Sequence, residues 1–135
     1  MAKDEENVMS GKTHRDIFAA DIEWGEGSEP GIQYTRFLLE EGNAKGPMIV
    51  MSKFEPGVRV PPHTHPTNYF EYIIEGEQTV GKVTFRKGDV RLVTANTGYG
   101  PITVGPEGCF VIIMFQEAEN GIMIPKGAAA EEVAA

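Results

Sequence analysis

Cysteine is almost missing from this chain: Cys109 is the only one, so no internal disulfide and no cysteine-based zinc site can form. Its neighbours, Phe110-Val111-Ile112-Ile113-Met114-Phe115, are apolar, which reads as a small buried side chain rather than a nucleophile. Positive charge is also scarce. Twelve Lys and Arg face twenty Asp and Glu, a net charge of -8, and such an acidic surface repels nucleic acid and anionic membranes alike. No apolar run approaches the ~18 residues of a membrane span, and Met1 to Asn7 carries no apolar signal-peptide region, so the expectation is a cytoplasmic protein.

What the chain has in abundance is punctuation. Sixteen Gly and nine Pro in 135 residues break the apolar sequence into short runs, which favours many strands over long helices. The length suits one domain with one core. We expect a polar N-terminal tail over residues 1–15, a single β domain over 16–125 and a polar C-terminal tail over 126–135. Asp16 to Trp24 fits a short helix or an edge strand, with Trp24 packing over one end of the domain, and Gly25 to Gly31 reads as a loop. Strands are predicted at Ile32–Leu39, Pro47–Phe54, Tyr69–Ile74, Gln78–Val80, Val83–Phe85, Val90–Val93, Ile102–Val104 and Cys109–Phe115. A turn is expected at Glu75-Gly76-Glu77, a two-residue hairpin at Gly81-Lys82, and a loop at Gly105 to Gly108. Short strands at 8–12-residue spacing imply an all-β antiparallel sandwich or barrel.

The chemistry concentrates between Gly57 and Gly76. His63 and His65 are one residue apart, so in extended backbone both imidazoles point to one face and could grip one metal ion. The carboxylate of Glu71 follows on the same strand as Tyr69 and shares its face. His14, the third histidine, lies in polar surroundings and reads as solvated. Arg59 and Arg91 could steer an anionic substrate, although surface charges are the commoner case.

The ordered string Gly57, five residues, His63-Thr64-His65, then an apolar strand ending Glu75-Gly76-Glu77, resembles the first motif of the cupin family. Gly88-Asp89-Val90 with Thr94-Ala95-Asn96-Thr97-Gly98-Tyr99 resembles the second. The resemblance implies a cupin-type double-stranded jelly-roll β-barrel. The phrasing around Phe54-Glu55-Pro56-Gly57 and Pro61-Pro62-His63-Thr64-His65-Pro66 is similar to small single-domain cupins of the anti-sigma-factor and dihydroxyacetophenone-dioxygenase type.

In that family a metal is usually held by two histidines and a glutamate of the first motif and a histidine of the second. His63 and His65 match by position; Tyr69 stands at the glutamate position and Tyr99 at the second-motif histidine position. Three arrangements are open. Glu71 replaces the glutamate, giving a metal site of His63, His65 and Glu71 for divalent Fe, Mn, Ni, Cu or Zn, with Tyr69 and Tyr99 as pocket residues. Alternatively the metal is lost, and the side chains form a hydrogen-bonded polar cluster in a cavity that binds an organic ligand. In the third, the histidines are structural and the barrel is filled.

Two functions follow. One is a metal-dependent small-molecule enzyme, an oxygenase, lyase or isomerase, acting on a substrate with adjacent oxygens. The other is a non-catalytic small-molecule-binding or sensor cupin. The outward residues Phe70, Tyr72 and Ile74, with the apolar last strand, lead us to expect a homodimer.

Overall fold

A computed structural model describes residues 14–118 and the backbone of a short strand at Ile124–Pro125. The expected tails, 1–15 and 126–135, therefore lie almost wholly outside the described residues. A 3-10 turn, Ala19–Asp21, precedes ten strands: β1 Gly25–Glu26, β2 Ile32–Leu38, β3 Met48–Phe54, β4 Arg59–Val60, β5 His63–Thr64, β6 Tyr69–Val80, β7 Val83–Arg86, β8 Val90–Val93, β9 Ile102–Phe115 and β10 Ile124–Pro125. Among the described residues no helix is long and apolar enough to cross a membrane.

Two long strands organise the all-β architecture. β6 runs 12 residues and β9 runs 14, antiparallel and side by side, with β7 and β8 paired along β6 and β3 and β4 along β9. The main sheet has the order β1-β2-β3-β9-β6-β7, with β8 also on β6 and β4 also on β9. A second, two-stranded ladder joins β5 to β10.

Two expected interruptions are absent, and the reason is the same for both. Glu75-Gly76-Glu77 was predicted as a turn and Gly105 to Gly108 as a loop, yet each lies within one continuous strand. The register slips between Ile73 and Glu75 and between Gly76 and Gln78, so the glycines mark β-bulges that bend the two strands together. Gly76 (φ 78) needs the left-handed region, and a Cβ there would meet the Gly108 carbonyl oxygen at 2.0 Å. The backbones cross too closely for any side chain. The Gly81-Lys82 hairpin forms as predicted, with Val80 opposite Val83.

Strand alternation sorts the side chains. Met48, Phe115 and Tyr69 stand side by side on the inner face and pack as one core cluster. Ile73, Val104, Cys109 and Val111 form a second, and Ile32, Val60, Val80 and Ile102 a third. Cys109 is thus a core residue, and burial pushes its thiol pKa up to about 12. The outer face carries two apolar rows across β2, β3, β9, β6 and β8: Phe37, Ile49, Met114, Phe70 and Leu92, then Thr35, Met51, Ile112, Tyr72 and Val90. Trp24 lies on this outer side, edge-on to Phe110 with the Lys53 ammonium 4.0 Å from its ring centre, instead of closing an end of the barrel.

Candidate functional site

The site is assembled by three segments of chain. β5 and the residue that follows it supply His63 and His65, β6 supplies Tyr69, Glu71 and Gln78, and the corner between β8 and β9 supplies Tyr99. That corner is tied to β5 by a two-way backbone bridge: each of His63 and Tyr99 donates its N–H to the other's carbonyl, at 3.0 and 3.1 Å. Register does the rest. Glu71 faces Arg91 directly across the β6–β8 ladder, and both side chains point inward.

A cavity of about 460 Å³ opens onto this cluster. Its polar lining comes from His63, His65, Glu71 and Gln78, with Ser52 on β3; its apolar lining includes Met48, Val50, Ile113 and Phe115. Arg36 and Glu26 stand on its open side. That size suits a small organic ligand.

The two histidines do share a face, as their spacing predicts, with rings edge-to-face at 5.2 Å. Their chemistry is set by what surrounds them. His63 Nδ1 lies 3.0 Å from the Pro61 carbonyl, which can only accept, so Nδ1 carries the proton. Nε2 is then the acceptor for the Tyr99 hydroxyl at 2.6 Å. Burial lowers the His63 pKa and the Arg91 charge lowers it further, against the bond to Pro61, so the ring is held neutral. Its one lone pair is already used. His65 packs edge-on against Tyr69 and Phe115.

Glu71 is 4 % exposed and engaged from two sides. Its Oε1 accepts from Arg91 Nε at 2.8 Å and from Gln78 Nε2 at 2.9 Å. Burial opposes the charged guanidinium, but Glu71's charge and hydrogen bond outweigh it and raise the Arg91 pKa. The guanidinium also lies 4.5 Å from the centre of the Tyr99 ring. Arg91 is therefore an interior counter-ion, not the surface charge its sequence suggested, whereas Arg59 is exposed.

Tyr69 and Tyr99 are not among the residues lining the cavity; they contact it through the histidines. The Tyr69 hydroxyl is buried near Tyr99 and Arg91 without a well-formed hydrogen bond to either. Burial raises both phenol pKa values, so both stay protonated at neutral pH in this arrangement. Gln78 was missed by sequence reasoning. It sits in the run Glu75 to Val80 that reads as turn and short strand, and only the continuity of β6 reveals that position 78 shares the inner wall.

These donors do not fit a metal ion as they are placed. His63 Nε2 is taken by Tyr99, the Glu71 oxygen is held by a guanidinium whose charge would repel a cation, and among the described residues no three His, Cys, Asp or Glu side chains converge on one point. The arrangement is a neutralised, hydrogen-bonded cluster.

Comparison with known proteins places this geometry in context. A family model described as the ChrR cupin-like domain matches residues 13–119. Solved structures agree on the fold. KdgF from Halomonas sp. is 23 % identical with a TM-score of 0.58, over 74 % of this chain and 91 % of that one. The polyketide cyclase RemF from Streptomyces resistomycificus is 16 % identical with a TM-score of 0.67, over 87 % and 89 %. A structure of Rhodobacter sphaeroides SigE in complex with the anti-sigma ChrR matches at 16 % identity and a TM-score of 0.57, over 73 % and 50 %. No functionally curated protein matches the sequence.

Proposed function

Given that this chain belongs to the ChrR-like cupin family, we propose that it is a small-molecule-binding cupin whose cavity takes an uncharged organic ligand without a resident metal. The observation that carries this reading is the pairing of Glu71 with Arg91 and Gln78. A carboxylate free to complete a metal shell would not be neutralised by a buried guanidinium. With Glu71 and Arg91 cancelling and His63 held neutral, the polar wall offers hydrogen bonds without net charge. A charged ligand would lose its hydration against that wall and meet no unpaired counter-ion there, since Arg36 and Glu26 stand on the open side. The apolar lining, Met48, Val50, Ile113 and Phe115, supports a ligand with a hydrocarbon or aromatic body that bears hydroxyl or carbonyl groups.

The alternative, a metal-dependent enzyme acting on a substrate with adjacent oxygens, would require Tyr99 to release Nε2 and Arg91 to release Glu71. One experiment separates the two: thermal shift of the purified chain against neutral phenols, ketones and polyols and their carboxylate counterparts, with and without chelator. Our reading predicts shifts from neutral compounds that chelator leaves unchanged. Shifts that vanish with chelator and return with Fe, Mn, Ni, Cu or Zn would overturn it in favour of the enzyme.

A further inference from the structure

Hydrogen bonds are unevenly distributed over the polar lining of the cavity. His63 has nothing further to offer, because Nδ1 is turned to the Pro61 carbonyl and Nε2 accepts from Tyr99. Glu71 is different. Both of its bonds, from Arg91 Nε and Gln78 Nε2, fall on Oε1, and the guanidinium engages it with one prong only, since Arg91 Nη2 has no hydrogen-bond partner. Oε2 accepts no hydrogen bond among the described residues, and it is not one of the atoms sealed inside the wall. Glu71 lines the cavity, so this oxygen is a carboxylate acceptor open to whatever enters.

Gln78 is fixed by the same contact. A carboxylate can only accept, so the amide nitrogen must be the atom that faces Glu71, and the amide oxygen is left buried without a partner. At 1 % exposure Gln78 acts on a ligand through the carboxylate that it holds.

We propose that the ligand presents a hydroxyl group, which donates its hydrogen to Glu71 Oε2, and that Gln78 is the positioning residue that keeps this oxygen turned to the cavity. The inference rests on the reading of an uncharged ligand and narrows it from hydroxyl or carbonyl compounds to alcohols and phenols. A hydroxyl that donates to a carboxylate makes a charge-assisted bond, roughly twice as strong as one between neutral groups. A carbonyl or ether oxygen in the same place would set lone pair against lone pair and leave a desolvated carboxylate oxygen unmet. An ammonium would donate as well, but it adds a positive charge beside Arg91, which already balances Glu71. A hydroxyl is the donor that leaves this balance unchanged.

The test is isothermal titration of the full chain, in the presence of chelator, with pairs of compounds that share a body and differ in the donor: naphthol against methoxynaphthalene, and tetralol against tetralone. Wild type should bind the hydroxyl member about 10–100-fold more tightly, the range of a hydrogen bond to a charged group. Glu71→Leu/Arg91→Met removes the acceptor together with its counter-ion, and should bind both members alike, with the affinity that wild type shows for the member without the donor. Should that variant fail to fold, Gln78→Leu takes its place: it keeps the ion pair, frees the carboxylate to turn, and should shrink the preference while the affinity for tetralone stays as it was. Equal binding of the two members by wild type, or a preference that survives the substitutions, would overturn the inference and leave the uncharged-ligand reading standing. Binding of neither member by wild type would remove that reading, and this inference with it.

Discussion

Tyr99 donates its hydroxyl hydrogen to His63 Nε2 over 2.6 Å, and the pair is clamped by reciprocal backbone bonds between the same two residues. This contact engages the lone pair of the neutral ring. The His63 pKa is lowered by burial first and by Arg91 second, with the Pro61 bond opposing. The folded state thus binds fewer protons than the unfolded chain between the lowered value and the ordinary ~6.5. Stability should be full above ~6.5 and fall as the pH drops through that window. Melting temperatures at pH 7.5 and pH 5 check the sign, and His63→Gln should flatten the slope. A wild-type melting temperature that rises on acidification would refute a neutral buried His63.

The pair Glu71–Arg91 is the second determinant. Both side chains are nearly inaccessible, at 4 % and 11 %. Arg91→Met leaves a carboxylate uncompensated in the interior and should cost about 3–5 kcal/mol in urea unfolding. Glu71→Leu/Arg91→Met removes both charges and should recover much of that loss, because the desolvation penalty goes with them. A double variant as unstable as the single would mean that packing, not charge, holds β6 to β8.

How much of this the sequence displays depends on whether a signal is local. His63 and His65 announce a shared face because a spacing of two is enough. The β2, β3 and β8 strands follow from apolar runs bounded by turn residues, and their ends agree to within a residue or so. The continuity of β6 and β9 is not legible, since glycine-rich breaks look identical in a turn and in a bulge until the partner strand is known. Arg91 and Gln78 escape for the same reason. Their roles depend on register: Arg91 faces Glu71 across the β6–β8 ladder, and Gln78 reaches Glu71 from seven residues along the bent strand.

Cys109 gives a test of core integrity that needs no substitution. Its thiol is buried between β9 and the bulge of β6, and with a pKa near 12 it is almost wholly protonated at neutral pH. The folded chain should react with a thiol reagent such as dithionitrobenzoate orders of magnitude more slowly than the unfolded chain. Its labelling rate in increasing urea should track the unfolding transition. Rapid stoichiometric labelling without denaturant would show that the β6–β9 crossing opens locally.

That crossing makes the sharpest stability prediction, because two glycines with similar backbone angles differ in their surroundings. Gly76 (φ 78) would place a Cβ 2.0 Å from the Gly108 carbonyl oxygen, a backbone atom that cannot swing away. Gly88 (φ 92) has nothing within 4 Å of the same position. Gly88→Ala should therefore cost only the conformational penalty of a left-handed residue, about 1–2 kcal/mol. Gly76→Ala adds a clash that only separation of β6 from β9 can relieve, and should cost well beyond ~3 kcal/mol or prevent folding. Because Gly76 lies five residues from Glu71 on the same strand, a soluble Gly76→Ala protein should also lose ligand-induced thermal shifts that Gly88→Ala retains. Equal destabilisation by the two substitutions would show that backbone conformation alone, and not the close crossing, requires glycine at position 76.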